Sequence, residues 1–216
     1  LGIATDGDGD RIFFVDSEGK LIDPAIVRAL LAKVFLETNP GATICYDIRP
    51  GRITRDVIEQ SGGKPSVTKV GHSLIKEQAI KEGAIFAGES SGHFFVKLEH
   101  GMFEAPCIVT LKLLQFLSRS NESTAEQIRP YRKYFHSGEI NSTVANVASV
   151  MQQLKKIYSP TATSVSELDG ITFEFPDYWF NVRASNTEPL LRLNLEATNA
   201  GLRDSKTKEI LNLIRA

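Results

Sequence analysis

The middle of the chain alternates short apolar runs with helix-length segments, and this alternation limits the possible folds more than any other feature. Thr43-Ile44-Cys45-Tyr46 reads as a buried strand, Ile53 to Gln60 as a helix, and Ser66 to Val70 as a strand. Ser73 to Glu82 reads again as helix, Ala84 to Gly88 as strand, and Phe94 to Lys97 as another strand. Upstream, Pro24 to Thr38 makes a helix that Asp23 can cap; Pro24 suits its first position, and Ile26, Leu30, Ala32, Val34 and Leu36 form a broad apolar face. Ala105 to Leu117 is apolar enough to be a core helix. Repeated strand–helix–strand units predict an α/β domain over residues 23–120, its sheet mostly parallel or mixed and covered on both faces.

Two shorter regions flank that domain. At the start, Leu1-Gly2-Ile3-Ala4 reads as a strand already under way, with no initiator Met and no cap. Ile12 to Val15 and Lys20 to Ile22 flank Asp16-Ser17-Glu18-Gly19, whose Asp and Gly favour a tight turn. This start reads as that of a fragment. At the other end, polar Ser118 to Ser123 reads as a linker. Beyond it, Glu139 to Thr143, Gly170 to Phe175, Tyr178 to Arg183 and Leu190 to Ala197 read as strands. Val147 to Ile157 and Asp204 to Arg215 read as helices. This predicts a smaller α+β domain over 121–216.

Composition narrows the class of partner. With 25 basic and 26 acidic residues the chain is nearly neutral, so neither nucleic acid nor an anionic membrane is expected as its main partner. A small anionic ligand stays open, because a few arginines in one pocket need not alter the total. No apolar run reaches a membrane span and no signal peptide opens the chain. Cys45 and Cys107 lie in apolar runs and read as buried free thiols in a reducing cytoplasm.

Three loops carry chemistry. Asp6-Gly7-Asp8-Gly9-Asp10-Arg11 places three carboxylates at alternate positions, where glycines let the backbone curl their oxygens around one hard divalent cation. An EF-hand loop counted from Asp6 would need Gly where Arg11 stands and Glu where Ser17 stands, so that reading fails. An acidic turn in solvent is the bland alternative, but bare carboxylates so close repel unless a cation neutralises them. Arg11 beside them points to an anion, such as a phosphate oxygen, as a further metal ligand. The second loop, Gly88-Glu89-Ser90-Ser91-Gly92-His93, offers a carboxylate, hydroxyls and an imidazole suited to sugar hydroxyls, and alone it is a weak signal. The third, Arg183-Ala184-Ser185-Asn186-Thr187-Glu188-Pro189, serves equally as a phosphate cradle or an ordinary hairpin loop. Gly71-His72-Ser73 opens a helix whose N–H groups could assist anion binding, while His72 could equally be a simple helix-start residue. His100 and His136 read as surface residues.

Taken together and in this order, the loops resemble those of the α-D-phosphohexomutase family. Its metal loop, Asp-Gly-Asp-Gly-Asp-Arg, is matched by Asp6 to Arg11, and its sugar loop, Gly-Glu-x-Ser-Gly-His, by Gly88 to His93. Its phosphate loop, Arg-x-Ser-Asn-Thr-x-Pro, is matched by Arg183 to Pro189, and its Gly-His-Ser segment by Gly71 to Ser73.

The resemblance implies a four-domain enzyme, of which this chain would be a C-terminal fragment: the remnant of another α/β domain, the end of domain two (1–22), expected to be mobile or to pair with another copy's sheet edge, then domain three (23–120) and domain four (121–216). It implies interconversion of hexose 1-phosphate and hexose 6-phosphate of mannose or glucose, through a phosphoserine and a hexose 1,6-bisphosphate, in a central cleft. Asp6, Asp8 and Asp10 would hold Mg²⁺, with Arg11 assisting. Glu89 and Ser91 would bind ring hydroxyls, and Arg183, Ser185, Asn186 and Thr187 the phosphate that is not reacting. His72 and His93 become candidates for acid–base or substrate-contact roles, and Arg49 for a basic residue of the cleft. The family's serine motif, of Thr-Ala-Ser-His-Asn type, is not in these 216 residues, so the expected partner is the missing N-terminal part of the same enzyme. Phosphoglucosamine mutases carry a closely similar sugar loop. A non-catalytic sugar-phosphate or metal-binding module and a structural protein with a calcium-stabilised loop are the readings from other classes.

Overall fold

In the computed structural model, which describes residues 1–185, 188 and 190–216, the chain opens on an antiparallel pair, β1 (Gly2–Thr5) and β2 (Ile12–Val15). The Asp-Gly stretch joins them. Ile12 and Phe14 of β2 are buried, whereas β1 is exposed along its length. The tight turn after β2 forms as its residues predict: Asp16 Oδ1 accepts from the N–H groups of Glu18 and Lys20, both at 2.9 Å. The expected strand from Lys20 to Ile22 reduces to a single bridge between Val15 and Leu21, because the chain must turn at Asp23 into a helix.

That helix is α1 (Pro24–Thr38), capped by Asp23 Oδ1, which accepts from the Ala25 N–H at 2.8 Å. Then follow β3 (Thr43–Asp47), α2 (Arg52–Gln60), β4 (Lys64–Thr68), α3 (His72–Lys81), β5 (Phe86–Gly88), β6 (Phe94–Leu98), β7 (Gly101–Glu104) and α4 (Pro106–Leu117). The five strands lie in the order β4-β3-β5-β6-β7. Strands β4, β3 and β5 are parallel and the last two pairings antiparallel, so the sheet is mixed rather than mostly parallel. The reason is loop length. A parallel crossover needs roughly a dozen residues, and the short loop between β5 and β6 permits only a hairpin. Helix α3 packs on one face, over Cys45, Ala87, Phe95 and Met102. Helices α1, α2 and α4 cover the other, where Phe35 stacks on Phe86 at 5.0 Å. Helix α4 is not wholly core: Val109, Leu113 and Leu117 are buried, but Leu111 is 66% exposed. Cys45 is buried as expected; Cys107, on α4, is exposed.

The polar stretch read as a linker leads into a short helix, α5 (Thr124–Ile128), started by a capping box between Ser123 and Glu126. Its first turn bonds to the turn after β2: the Ser17 N–H donates to Thr124 Oγ1 at 2.7 Å, and Arg132 pairs with Asp16 at 2.7 Å. These ties place residues 118–132 with what precedes them, and the chain divides into Leu1–Arg132 and Lys133–Ala216.

The second unit is an antiparallel sheet with helices on one side. It runs β8 (Phe135–Thr143), α6 (Val147–Tyr158), β9 (Ser164–Ser166), β10 (Ile171–Glu174), β11 (Tyr178–Ala184), β12 (Leu190–Ala197) and α7 (Ala200–Ile214), with strand order β8-β12-β11-β10-β9. Leu191, Leu193 and Leu195 alternate along β12 with Phe180 and Val182 opposite, and bury against Leu154, Tyr158, Ile210 and Ile214 of the helices. The other face of the same strands is polar: Asn181, Arg183, Arg192, Asn194 and Glu196. Among the described residues no helix is long and apolar enough to cross a membrane.

Candidate functional site

In the first unit, three of the predicted residues follow the carboxyl ends of the parallel strands, where open α/β sheets place ligands. Arg49 follows β3, His72 follows β4, and Glu89 follows β5. The β1–β2 loop with the three aspartates joins them because the Ile12 N–H donates to the Gly92 carbonyl at 3.1 Å, tying β2 to the sugar loop. Gly92 has a φ of +93°, and a Cβ there would lie 3.0 Å from Phe13 Cζ, so this close approach needs glycine.

Within the aspartate loop, one carboxylate oxygen each of Asp6, Asp8 and Asp10 lies within 4.8 Å of the others. Asp6 accepts from the Arg11 N–H at 3.2 Å, and the Arg11 guanidinium lies 3.4 Å away. Burial pushes the Asp6 carboxyl up, but the Arg11 N–H and charge outweigh it and hold Asp6 below the usual carboxylate range. Asp10 Oδ1 is buried and finds no hydrogen-bond partner among the described residues. Hard carboxylate oxygens, one of them buried and unsatisfied, fit a hard divalent cation.

The sugar loop is anchored from beneath by residues that the sequence reading passed over. Asp47, at the end of β3, is fully buried. Its Oδ1 accepts from Arg28 Nη1 at 2.5 Å and from Ser90 Oγ at 2.9 Å, and its Oδ2 from Arg49 Nε at 2.5 Å and from the Ser90 N–H at 3.2 Å. Arg28, wholly buried on α1, also donates to Ser90 Oγ at 2.8 Å and to the Pro50 carbonyl at 2.5 Å. Burial pushes the Asp47 carboxyl up, yet the charges of Arg28 and Arg49 and the bonds from Ser90 prevail and hold it low. Arg49 thus lies beside the sugar loop, ion-paired to Asp47, with a guanidinium nitrogen 3.7 Å from Glu89. Glu89 is itself buried: Oε1 accepts from the Gly71 N–H at 2.8 Å and Oε2 from Ser91 Oγ at 3.1 Å. The N–H at the start of α3 is therefore spent on Glu89.

The two candidate histidines come together. Their ring centroids are 5.1 Å apart in an edge-on arrangement, and His72 also tilts against Phe95 at 5.4 Å. His93 is buried, whereas the His72 side chain is half exposed. Between them stands Glu104, at the end of β7, which no sequence motif marked. Its Oε1 is 2.7 Å from His93 Nδ1 and its Oε2 3.3 Å from His72 Nε2. Asp10 Oδ2 lies 3.8 Å from the same His93 nitrogen.

In the second unit, Arg183 on β11 and Arg192 on β12 face each other in register on the polar side of the sheet. Arg183 Nη2 donates to Glu139 Oε2 at 2.6 Å, and Arg192 Nη1 lies 3.6 Å from Glu139 Oε1. Asn194 Nδ2 donates to Glu139 at 3.3 Å, and Arg192 Nη2 to Ser185 Oγ at 3.4 Å. Burial pushes the Glu139 carboxyl up, but the bond and charge of Arg183, the Asn194 bond and the Arg192 charge hold it low. One carboxylate serves two guanidiniums, and the Nε atoms of both arginines are buried without a hydrogen-bond partner among the described residues. The arrangement has positive charge and unused donors to offer an anion. Asn186 and Thr187 lie outside the described residues. Glu139 and Arg192 were not singled out in the sequence; the polar positions alternating with Leu191, Leu193 and Leu195 were the available signal.

Comparison with known proteins places this architecture. Residues 23–134 match the sequence profile of phosphoglucomutase/phosphomannomutase alpha/beta/alpha domain III, and residues 139–211 that of the phosphoglucomutase/phosphomannomutase C-terminal domain. The chain belongs to the phosphoglucomutase/phosphomannomutase (α-D-phosphohexomutase) family. It is 41% identical over 214 residues to a phosphomannomutase of Methanocaldococcus jannaschii, covering 99% of this chain and 47% of that protein. It is 38% identical over 216 residues to a phosphomannomutase of Escherichia coli K12, again covering 99% of this chain and 47% of that protein. A crystal structure of a phosphoglucomutase/phosphomannomutase family protein from Burkholderia thailandensis superposes with a TM-score of 0.86 at 31% identity, covering 98% of this chain and 45% of that one. The chain thus spans about half the length of the curated relatives it matches.

Proposed function

We propose that this chain supplies the cation, sugar and phosphate sites of a phosphohexose mutase that interconverts the 1- and 6-phosphates of mannose or glucose. The observation that carries this reading is a pairing of opposite sites in a chain of this family: a carboxylate cluster with an unsatisfied Asp10 oxygen, and a guanidinium cluster with unused donors. The phosphoserine and the domains that carry it belong to the part of the relatives' length that these residues do not span. Residues 1–22 then close the preceding domain, and the chain alone is inactive. The enzyme works in the cytoplasm.

In the reaction, the sugar hydroxyl oxygen bonds to phosphorus as the P–O bond to the serine breaks, and the hydroxyl proton passes to a base. The resulting hexose 1,6-bisphosphate then returns its other phosphoryl group to the serine. Asp6, Asp8 and Asp10 are the residues to hold Mg²⁺, which when bound would offset charge on the phosphoryl oxygens. Arg11 orients Asp6 and adds a positive charge. Glu89 and Ser91, set by Gly71, Arg49 and Asp47, meet the ring hydroxyls, and His93 or His72 takes and returns the hydroxyl proton. Arg183, Ser185, Asn186 and Thr187 hold the phosphate that is not reacting, so that remote binding positions the reacting end.

The test is an amide-resolved NMR titration of the chain with mannose 1-phosphate, glucose 1-phosphate and glucosamine 1-phosphate, followed by a mutase assay of the enzyme that contains it. Shifts at Arg183 to Thr187 and at Glu89 to His93 support the reading, and their ranking selects the sugar. Strongest shifts with glucosamine 1-phosphate select a phosphoglucosamine mutase instead. An enzyme that converts none of these esters sinks the proposal.

A further inference from the structure

We infer that Glu104 is a positioning residue that sets which ring nitrogen of His93 and of His72 carries the proton. The inference rests on the mutase reading for its effect on turnover, but not for its effect on the rings.

An ionised carboxylate only accepts hydrogen bonds, and a neutral imidazole carries its proton on one nitrogen or the other. Glu104 Oε1, at 2.7 Å, therefore requires the proton of His93 on Nδ1. The other ring nitrogen, Nε2, is left as a lone pair able to accept a proton. For His72 the same carboxylate favours the reverse by charge alone: Oε2 lies 3.3 Å from Nε2, an electrostatic contact and not a hydrogen bond, so a proton is favoured on Nε2 and the lone pair on Nδ1. One side chain thus gives two adjacent histidines opposite tautomers.

The support is rigid. Glu104 is the last residue of β7 and pairs across the sheet with Phe95, whose ring in turn lies against His72. His93 immediately precedes β6, so both partners of the 2.7 Å contact are mounted on one antiparallel pair. The edge-on packing of the two rings limits their rotation. Carboxylates that hold a working histidine in one tautomer recur in metal and hydrolase sites, where losing them costs about 10–10²-fold or more in activity. An ordinary strand-end ion pair would brace β7 but would not need both oxygens directed at two different imidazoles.

The experiment has two arms. Imidazole ¹⁵N spectra of this chain, recorded where the histidines are neutral, should show His93 protonated on Nδ1 and His72 on Nε2. Glu104→Ala should return His93 to a mixture rich in the Nε2–H form. Glu104→Gln, which keeps the shape but can donate as well as accept, should also lose the single tautomer, with the amide spectrum confirming that both variants fold. His93 protonated on Nε2 in the unaltered chain, or tautomers unmoved in both variants, overturns the inference. In the enzyme containing the chain, Glu104→Gln should lower kcat about 10–10²-fold with KM within about twofold, and Glu104→Asp should recover part of the loss. Shifted tautomers with unchanged kcat would overturn the positioning role. An enzyme without mutase activity would sink the reading of function while the spectra still decide the tautomers.

Discussion

The unit Leu1–Arg132 and the unit Lys133–Ala216 solve opposite electrostatic problems with different supports. In the first, Asp6, Asp8, Asp10, Glu89 and Glu104 outnumber Arg11 and Arg49, while Arg28 is taken up by Asp47. The surplus is negative and sits on loops and at a strand end, and the sugar loop among them needs an internal anchor. The buried Arg28–Asp47–Arg49 pairing with Ser90 supplies it. In the second, Arg183 and Arg192 stand on adjacent strands and share Glu139, and the sheet itself holds them. The surplus is positive, and its support is the hydrogen-bonded ladder rather than a buried ion pair. The carboxylates on loops come with a buried salt bridge beneath the sugar loop, whereas the guanidiniums on strands need only a polar sheet face.

The largest effect should come from breaking the anchor of the first unit. Arg28→Ala leaves the Asp47 charge buried beside Arg49 alone and vacates space around Gly88, whose approach to the Arg28 side chain is close. Removing one partner of a buried pair typically costs about 3–5 kcal/mol. Urea unfolding should show a loss of that order for the first unit and little change for the second. A loss below about 1 kcal/mol would mean that the loops stand without their anchor. Second in size is Asp8→Asn. Asp8 is exposed, and no hydrogen bond or ion pair among the described residues ties it to the fold, so stability should hold while Mg²⁺ binding by the chain weakens. Turnover of the enzyme containing it should fall at least about a hundredfold. Retained activity would remove the cation site from the comparison.

These two residues also mark what the sequence could and could not disclose. Asp8 could be singled out because its chemistry is local: three carboxylates at alternate positions point to a cation without reference to anything else in the chain. The sugar loop and Arg183 were singled out on different ground, each weak or ambiguous alone and given weight only by the resemblance of the three loops taken together. Arg28, Asp47 and Glu104 were not, because their partners lie far along the chain and are met only once strands pair. Glu104 reaches His93 through the β6–β7 register, and β7 itself was unread, since Gly101-Met102-Phe103-Glu104 is short and begins with glycine. The fold shows the same division. Helix α1 and the buried strands declared themselves by periodicity, whereas β9, Ser164–Ser166, is too polar to do so. Helix α5 lies just past the stretch read as linker, among residues to which the sequence reading assigns no element, although Ser123 and Glu126 spell a capping box.

The anion side is tested by Arg183→Ala. A charge-assisted contact to phosphate is worth about 1.5–3 kcal/mol, so affinity of the chain for a hexose phosphate should weaken about tenfold or more. The loss should be smaller for Arg192→Ala, whose side chain is more exposed and is already bonded to Ser185. Equal losses would make the two arginines one site with no hierarchy, and no loss in either would leave the second unit without an anion to hold.

The smallest effect concerns Glu139 and has a definite sign with pH. Its folded carboxyl lies below the ordinary value because Arg183, Asn194 and Arg192 together outweigh its burial. A group depressed in this way stabilises the fold above its unfolded pKa and loses that contribution as pH falls through the lower, folded value. Glu139→Gln removes the charge but keeps the shape. The variant should therefore be less stable than the parent by about 1 kcal/mol near neutrality, solvent at this partly exposed carboxylate having screened part of the interaction. The difference should shrink steadily as pH drops below the usual glutamate range of about 4.3 and vanish in stronger acid. Stability curves of the two proteins against pH, taken on the unfolding of the second unit, check this directly. A difference that persists in strong acid would mean that Glu139 acts by packing rather than charge, and the two arginines would then be held by the sheet alone.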